Sequence, residues 1–496
     1  MSRTSLLAVL LALAGSGLAA PADTITIDAK AQGRPFPHFW ERCFGSGRAV
    51  LSLREDYRRD LDAVKAATGV QYIRFHAIFH DENGVYAESP QGEPVYNFNQ
   101  VDLIYDGLLA RGVKPYVELS FMPRALASEL TLHPFWYKPV VAPPKDYGRW
   151  GAVVEAFARH LIDRYGIDEV ASWYFEVWNE PNLDFWAGNP KFETYCRLYD
   201  AAARAVKKAS PRLRVGGPAT AQAAWVANFI DHCVRENAPV DFVSTHVYGN
   251  DSPQDVFGAE GPINRRTMVA RSVDKVFNQV QQSPRPALPI HWSEFNASYM
   301  NEVDVTDSPY MGPWLAHTIA ASDGKTALMS YWTFSDVFEE QGIFKTPFYG
   351  GYGLIANHSI PKAAFNVFGE LHRLGTERLP ADSESALVTR RKDGSLEIAV
   401  WNYAEPGQTG PDKAIDIVLR HTASRQATLH RVDGGHGSSL ETWVRLGKPS
   451  SPTHEQELLL RKAASPGDPE KIAIVDGRVS VTLPAHGLAV LEIPAK

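Results

Sequence analysis

Two glutamates stand at the ends of short apolar runs. Glu180 follows residues 173–179, and Pro181 after it favours an extended backbone at Glu180, so the run should stop with this carboxylate at its rim. Glu294 ends a second run, 290–293. Hydrolysis of a glycosidic bond needs one carboxyl group that protonates the leaving oxygen and another that meets the positive charge at the anomeric carbon. The pair predicts this chemistry, with Glu180 as general acid/base and Glu294 as nucleophile.

The spacing of these glutamates agrees with a repeated strand–helix unit. They are 294 − 180 = 114 residues apart, or three units of 38 residues, and such a unit needs roughly 30 residues or more. Phe175 and Trp178 offer apolar surroundings that would raise the pKa of Glu180 and keep it protonated. We predict that the carboxyl groups lie about 5 to 5.5 Å apart, which implies retention of configuration, whereas a separation beyond about 6.5 Å implies inversion.

Eight apolar runs separated by helical patterns indicate the fold that positions these residues. The runs are 39–44, 71–75, 114–119, 173–178, 213–217, 242–248, 290–295 and 328–334. Strands that alternate with helices form a parallel sheet, and eight of them close into an α/β barrel, the (β/α)8 TIM barrel, with its chemistry at the strand ends. The alternative, a doubly wound open sheet, is disfavoured because no glycine-rich phosphate loop opens a helix.

Further polar residues follow the same runs. Arg74 could orient the nucleophile or pair with a barrel carboxylate, and the sequence leaves both open. Glu118 and Glu176 are weaker candidates for substrate contact. Glu176 shares a strand face with Glu180 by two-residue alternation but lies deeper, where it could touch the substrate or simply hydrogen-bond a barrel neighbour.

After residue 375 the pattern changes to short runs with glycine, proline and aspartate between them. Such runs occur at 386–388, 396–401, 415–419, 458–460, 472–475, 479–483 and 488–493, and they predict an accessory antiparallel β-sandwich. Residues 24–28 alternate apolar and polar side chains, so they could add an edge strand to it. We therefore expect an N-terminal strand segment at 21–35, a catalytic barrel at 36–375 and a sandwich at 376–496.

The first 20 residues resemble a secretory signal peptide. A charge at Arg3 precedes an apolar stretch from Leu6 to about Leu13, and small residues follow. A membrane anchor is the alternative, but it needs roughly 20 unbroken apolar residues. The sequence therefore predicts a secreted or periplasmic protein.

Composition restricts the partners. A formal net charge of −7 without a long basic run argues against nucleic acid or an anionic membrane as partner and favours an uncharged substrate. Cys43, Cys196 and Cys233 have no CxxC or Cys/His spacing, so neither a disulfide framework nor a closed zinc site organises the fold, although one disulfide stays possible. No metal and no cofactor is expected, and the oligomeric state stays open.

With these residues in place, the chain resembles glycoside hydrolase family 39, the family of β-xylosidases and α-L-iduronidases. The resemblance covers most of the mature chain and rests on an ordered set of segments, 39–47, 74–76, 117–123, 178–182, 245–248, 292–295 and 331–340. It implies a barrel with a sandwich, retaining hydrolysis, and the catalytic roles of Glu180 and Glu294. It also implies a pocket for the terminal sugar that is lined by His76, Asn179, His246, Tyr248, Trp332 and Glu339, with Phe121 and Glu340 less securely placed.

Some of these roles have structural alternatives. His246 could be a buried core histidine, and Trp332 could pack in the core instead of stacking on a sugar. Tyr248 could orient the nucleophile through its hydroxyl group. The sequence departs from the family pattern at Arg42 and Phe44, which weakens inferences about the sugar but leaves the catalytic pair unaffected.

The expected substrate is a neutral sugar, because no cluster of Arg or Lys follows the strands to hold a uronate. The first expectation is exo-acting release of β-D-xylose from xylo-oligosaccharides by double displacement. The same machinery could serve a β-glucosidase, an α-L-arabinoside-releasing enzyme or an α-L-iduronidase. A non-catalytic carbohydrate-binding protein is the remaining alternative, although binding alone needs no buried pair of carboxyl groups.

Overall fold

The computed structural model describes residues 23–495, in which a closed barrel of eight parallel strands packs against a β-sandwich. The barrel strands, whose chain order is also their order around the barrel, are β1 (Cys43–Arg48), β2 (Tyr72–His76), β3 (Lys114–Leu119), β4 (Tyr174–Val177), β5 (Arg214–Thr220), β6 (Phe242–Tyr248), β7 (Ile290–Asn296) and β8 (Leu328–Tyr331). The predicted (β/α)8 TIM barrel is therefore confirmed. The predicted signal peptide at 1–20 lies outside the described residues. Within residues 23–495, no helix is long and apolar enough to cross a membrane.

One main helix follows each barrel strand. These helices are α1 (Glu55–Ala67), α2 (Asn99–Leu109), α3 (Tyr147–Tyr165), α4 (Lys191–Ala209), α5 (Val226–Arg235), α6 (Arg265–Gln282), α7 (Met311–Ser322) and α8 (Ala363–His372). In α3 the Asp146 side chain accepts hydrogen bonds from the N–H groups of Gly148 and Arg149, which caps the helix start. Shorter helices and strands lie in the loops, at Tyr86–Glu88, Pro94–Tyr96, Ile167–Val170, Pro253–Phe257, Val303–Thr306, Ile355–Ala356 and Ile360–Pro361.

The first barrel strand begins four residues later than the sequence pattern predicts. Phe39 and Trp40 form a turn before the strand and pack in the core, whereas β1 itself contains Gly45 and Gly47 and so lacks an apolar signal. A Cβ atom at Gly45 would lie 2.1 Å from the Trp332 ring, so the absence of a side chain here is what lets the indole enter the barrel mouth.

The sandwich consists of two sheets. Its strands are β9 (Glu377–Leu379), β10 (Ala386–Arg390), β11 (Leu396–Trp401), β12 (Lys413–Arg420), β13 (Gln426–Val432), β14 (Glu470–Ala473), β15 (Arg478–Leu483) and β16 (Leu488–Ile493). The larger sheet has the order Arg34–Pro35, β9, β10, β11, β16, β13, β14. The smaller one has β12 between β15 and the N-terminal strand Asp23–Asp28, which pairs with β12 in parallel.

Residues 458–460, which the sequence pattern assigns to a strand, lie instead in the second of two helices between β13 and β14, α9 (Leu440–Arg445) and α10 (His454–Ala463). Thr453 and Gln456 form a reciprocal capping box at the start of α10. Acidic residues occupy its first turn and basic residues its last, which suits the helix dipole. A run of three leucines is too short to distinguish a strand from a helix.

A buried ion cluster holds the segment 337–353, which follows β8 and covers part of the barrel mouth. Lys362 Nζ lies 2.6 Å from Asp307 and 2.7 Å from Asp336, and it donates to the carbonyl of Gly351 at 2.9 Å. The two carboxylates also accept backbone N–H groups of the segment, from Gly350 at 2.6 Å and Gly353 at 2.7 Å. Both carboxylates and the ammonium group are fully buried, so they depend on one another for charge compensation.

Substitution Lys362→Met is expected to lower the free energy of unfolding by about 3 to 5 kcal/mol, because it leaves two buried carboxylates without a cation. Urea denaturation at pH 7 measures the effect. Lys345→Met is a matched control, since Lys345 lies on the same segment but is exposed, and we expect a change within about 0.5 kcal/mol. Equal stability of the two variants would contradict this role for the cluster.

Candidate active site

A cavity of about 450 Å³ opens at the carboxyl ends of the barrel strands. Of the predicted site residues, seven line it directly: His76, Asn179, Glu180, Tyr248, Glu294, Trp332 and the less securely placed Glu340. His246 is buried in contact with Glu180 and Glu294. The predicted strand ends therefore meet in one cavity.

Arg74 connects the carboxylates below this cavity. Its Nε donates to Glu176 Oε2 at 2.6 Å, Nη1 to Glu294 Oε1 at 2.8 Å and Nη2 to Asn179 Oδ1 at 2.9 Å. Nη2 also lies 2.7 Å from Glu118 Oε2. The guanidinium thus performs both roles that the sequence left open, since it orients Glu294 and pairs with barrel carboxylates. Glu176 and Glu118 support Arg74 and do not line the cavity.

Glu294 is surrounded by groups that favour its ionised form. Besides Arg74, the Tyr248 hydroxyl donates to Glu294 Oε2 at 2.6 Å, and His76 Nε2 lies 3.9 Å from Oε1. Burial is the largest effect and raises the pKa of Glu294, while Arg74, His76 and Tyr248 each limit that rise. A carboxylate that accepts two strong hydrogen bonds in a fixed orientation is suited to nucleophilic attack.

The pKa of Glu180 is raised further than that of Glu294. Burial, followed by the charges of Glu294 and Asp251, raises the pKa of Glu180 well above its usual value. Among residues 23–495, its one side-chain hydrogen bond joins Oε1 to His246 Nδ1 at 3.0 Å. Burial and then Arg74 lower the pKa of His246 well below its usual value, so the imidazole is neutral and contributes no positive charge. Glu180 is therefore the carboxyl group of this pair that holds the proton.

The backbone at Glu180 differs from the sequence prediction. Its φ is +43°, in the left-handed region, whereas Pro181 was expected to impose an extended conformation. The Glu180 N–H donates to the Ala219 carbonyl at 2.8 Å, and the Glu180 carbonyl accepts from Leu183 at 2.9 Å. These bonds hold a conformation that is unfavourable for a residue with a side chain, as is common at functional sites.

The two glutamates face each other across the cavity. Glu180 follows β4 and Glu294 lies on β7, and carboxylate oxygens of the two side chains lie within 4.8 Å of each other and of His246. This limit applies to one oxygen of each group, and it is compatible with the separation of about 5 to 5.5 Å that a retaining pair requires.

Three side chains close the far end of the cavity. The rings of His76 and Trp332 have centroids 4.7 Å apart, and His76 Nδ1 is hydrogen-bonded to Glu118 at 2.8 Å. Glu340 lines the same end, and its Oε1 is buried without a hydrogen-bond partner among the described residues. Burial and then Glu294 raise the pKa of Glu340 well above its usual value.

A family model described as Glycosyl hydrolases family 39 matches residues 23–479. The chain belongs to this family. It is a glycosidase, and its fold and carboxylate pair agree with that membership.

The family 39 relatives cover nearly the whole chain. A β-xylosidase of Geobacillus stearothermophilus is 37% identical over 472 residues, which are 92% of this chain and 93% of the relative. A β-xylosidase of Caldicellulosiruptor saccharolyticus is 37% identical over 437 residues, 86% of this chain and 88% of the relative. The crystal structure of a monomeric β-xylosidase from Caulobacter crescentus CB15 superposes with a TM-score of 0.87 at 32% identity, covering 96% of this chain and 100% of that one.

In this glycosidase the structure does not bring Glu339 to the cavity. Its carboxylate pairs with Arg54 and, at 3.2 Å, with Arg48, outside the cavity wall. The backbone φ of Glu339 is +61°, which reverses the chain direction locally, so the next residue, Glu340, takes the place that the sequence prediction gave to Glu339. Phe121 lies beneath the wall, fully buried against Trp178.

Sequence reasoning missed several residues that line the cavity. Asp251, Gln222, Tyr299 and Tyr352 lie in loops after the strands and belong to no periodic pattern. Only the distance from a strand end could have indicated Asp251, which follows the end of β6 by three residues.

Two groups of described residues bring three possible metal ligands within 4.8 Å of one another, Glu180–His246–Glu294 and His38–Glu41–His372. In the first, Arg74 already supplies a positive charge to Glu294. In the second, burial would raise the pKa of Glu41, but His372 and His38 outweigh it through hydrogen bonds and lower the pKa to about 2, which makes an ion-paired triad. The three cysteines are buried free thiols.

Proposed function

We propose that this family 39 enzyme is an exo-acting, retaining β-xylosidase that releases terminal β-D-xylose from xylo-oligosaccharides. The observation that carries the proposal is a pair of carboxyl groups that share one cavity but have different hydrogen-bond partners. Glu180 is buried beside a neutral imidazole, and Glu294 is held by a guanidinium and a phenol.

In the first step, the ionised Glu294 attacks the anomeric carbon while Glu180 gives its proton to the departing glycosidic oxygen. The C–O bond to the leaving group breaks, and an ester bond to Glu294 forms. Arg74 and Tyr248 hold the attacking carboxylate in place through both of its oxygens. The leaving group departs as a neutral alcohol.

In the second step, Glu180 is ionised and removes a proton from a water molecule that attacks the same carbon. The ester bond to Glu294 breaks, and xylose leaves with its original anomeric configuration. The loss of the negative charge on Glu294 in the ester lowers the pKa of Glu180, because that charge is the second-largest cause of its rise. The same residue can therefore act first as acid and then as base.

A neutral terminal sugar is supported by the charges around the cavity. Its lining contains the carboxyl groups of Glu180, Asp251, Glu294 and Glu340, and no Lys or Arg among the described lining residues. A uronate carboxylate would find no Lys or Arg side chain in the lining to pair with, and it would face the ionised Glu294. Glu340 Oε1 lies 3.5 Å from His76 Nε2 and has no hydrogen-bond partner among the described residues, so it suits a hydroxyl donor of the sugar. The closed end formed by His76, Trp332 and Glu340 suits release from a chain end, and two relatives at 37% identity are β-xylosidases.

Incubation with a 2-fluoro-2-deoxy-β-xyloside that carries a good leaving group tests both the sugar and the nucleophile. Because the fluorine slows breakdown of the ester, we expect a mass increase of one 2-fluoroxylosyl group, located on the peptide that contains Glu294. A parallel panel of nitrophenyl glycosides should give its highest kcat/KM with the β-D-xyloside. Labelling of another residue would contradict the mechanism, and preference for another glycoside would contradict the sugar.

We also propose that the protein is exported from the cytoplasm, on the basis of the charged, apolar and small-residue order at positions 1–20. N-terminal sequencing of the protein recovered from its native host tests this. A mature chain that still begins at Met1 would contradict it.

A further inference from the structure

Strand β7 contains one residue more than its neighbours at the point where it reaches the cavity. Thr245 on β6 pairs with Trp292, and the next residue, His246, pairs with Glu294, so Ser293 is the extra residue of a β-bulge. The register between β7 and β8 shifts over the same stretch. Bulges are frequent beside active sites, where they change the direction of a side chain. This one lies directly before the nucleophile.

The bulge brings two consecutive side chains of β7 to the same imidazole. In a regular strand, successive side chains point to opposite faces, so the neighbour of Glu294 would point away from it. Instead, Ser293 Oγ lies 3.1 Å from His246 Nε2, and Glu294 Oε1 lies 3.6 Å from His246 Nδ1. Ser293 and His246 are both fully buried. The hydrolysis described above assigns no role to Ser293.

The hydrogen bonds around Ser293 indicate which atom donates. The imidazole of His246 is neutral, so one ring nitrogen carries a proton and the other is a bare acceptor. Within residues 23–495, the Ser293 hydroxyl has no side-chain hydrogen-bond partner other than His246 Nε2. A buried hydroxyl proton without an acceptor is unfavourable, so Ser293 donates and Nε2 accepts. The ring proton then lies on Nδ1, which is 3.0 Å from Glu180 Oε1.

We propose that Ser293 is a positioning residue that holds His246 in the Nδ1–H tautomer, so that the ring donates a hydrogen bond to Glu180 Oε1 in both steps of hydrolysis. The inference rests on the proposed function, because it takes Glu180 to be the general acid/base. The proton of Glu180 then lies on its other oxygen, Oε2, from which the departing glycosidic oxygen can take it.

The opposite tautomer would impair both steps. With the proton on Nε2, Nδ1 becomes an acceptor, and Glu180 would donate its proton to the ring instead of the leaving group. After the loss of that proton, a bare ring nitrogen would face the carboxylate. With the proton on Nδ1, one hydrogen bond serves Glu180 as an acid and as a base, and no ring proton has to move between the steps.

The first test compares substrates that differ in their need for an acid. In Ser293→Ala we expect kcat/KM for xylobiose to fall about 3- to 10-fold, the value of one hydrogen bond. For 4-nitrophenyl β-xyloside, kcat/KM should change by less than about 2-fold, because nitrophenolate leaves without protonation. Where breakdown of the ester limits turnover of that substrate, kcat and KM should fall together, since this step needs Glu180 as a base.

The second test repeats the substitution in the Glu180→Ala background. The imidazole then has no acid/base to orient, so the added Ser293→Ala should change kcat/KM for xylobiose by less than about 2-fold. A purely structural role would give the same loss in both backgrounds. Ser244→Ala is the matched control, because Ser244 is a buried serine on β6 whose hydroxyl has no hydrogen-bond partner among the described residues. We expect it to leave kcat/KM unchanged for both substrates.

Nitrogen NMR of the full-length enzyme with isotope-labelled histidine reports the tautomer itself, because protonated and bare ring nitrogens resonate far apart. The signals of His246 are identified by their loss in His246→Gln. In the wild type they should show a protonated Nδ1 and a bare Nε2 that accepts a hydrogen bond, and Ser293→Ala should shift the Nε2 signal.

The proposal is overturned if the wild-type ring carries its proton on Nε2, or if Ser293→Ala leaves xylobiose hydrolysis unchanged. It is also overturned if Ser293→Ala slows both substrates equally, or acts equally in the Glu180→Ala background. Failure of the proposed function is a separate result. In that case, Glu180→Ala alone would lower kcat/KM uniformly across leaving groups, or the wild type would prefer the nitrophenyl glycoside of another sugar.

Discussion

Replacing Glu294 with alanine is expected to lower kcat/KM for every glycoside substrate by about 10⁴- to 10⁶-fold, because the variant cannot form the ester intermediate. The substitution also leaves a space beside Arg74 Nη1 and the Tyr248 hydroxyl, which hold the carboxylate at 2.8 and 2.6 Å. Azide, a small anion, should bind in that space and attack from the same face. The expected product from a β-xyloside is α-xylosyl azide, which the anomeric coupling constant in proton NMR identifies.

Glu339→Gln is the matched control for this experiment. Glu339 belongs to the same candidate set from the sequence, but its carboxylate pairs with Arg48 and Arg54 away from the cavity. We expect kcat/KM to stay within about 2-fold of the wild type. Substantial turnover by Glu294→Ala without azide would rule out the nucleophile, and β-xylosyl azide as its product would exchange the roles of the two glutamates.

Replacing Glu180 with alanine is expected to affect substrates according to their leaving groups. For xylobiose, whose leaving oxygen needs a proton, kcat/KM should fall by about 10²- to 10⁴-fold. For 4-nitrophenyl β-xyloside the first step should be much less affected, because nitrophenolate leaves without protonation. Hydrolysis of the ester then becomes limiting, so azide should raise kcat and give β-xylosyl azide from the opposite face. A uniform loss across leaving groups would contradict the acid role of Glu180.

The same variant tests the pH dependence. In the wild type, burial and the charge of Glu294 raise the pKa of Glu180, so the acid stays protonated above its usual range. Activity on xylobiose should fall as pH rises through that pKa, and at low pH it should fall again as Glu294 gains a proton. In Glu180→Ala, the decline at high pH should disappear from the profile of kcat/KM for xylobiose. A high-pH limb that persists unchanged would assign it to another group.

Most of the barrel could be predicted from the sequence, because a strand buried on both faces reads as a continuous apolar run. Seven of the eight strands lie where such runs occur. The exception is β1, whose Gly45 and Gly47 carry no apolar signal since neighbouring groups occupy the space of their side chains. Residues 458–460 are helical because Thr453 caps the start of the helix that contains them. The short run of leucines alone does not indicate that helix.

Only some residues of the candidate site could be predicted from the sequence. Residues on strands or directly after them, such as Arg74, His76 and Glu294, could be placed because strand ends meet at one mouth. Residues that lie beyond a turn could not be placed in this way. The left-handed backbone at Glu339 shifts the inward position to Glu340, and a similar conformation at Glu180 contradicts the effect expected of Pro181. Arg74 has four partners, which come from three strands and a loop. These contacts form only when the barrel closes, so the sequence near Arg74 does not predict them.

The parallel pairing of Asp23–Asp28 with Lys413–Arg420 constrains the order in which the chain can assemble. During synthesis the first of these segments emerges almost 400 residues before its partner, so its isoleucines at 25 and 27 stay uncovered until translation is nearly complete. Recombinant versions that start after residue 28 would expose β12 as a bare sheet edge and invite association between molecules. The strand Asp23–Asp28 therefore belongs to the carboxyl-terminal domain but is synthesised long before the rest of that domain.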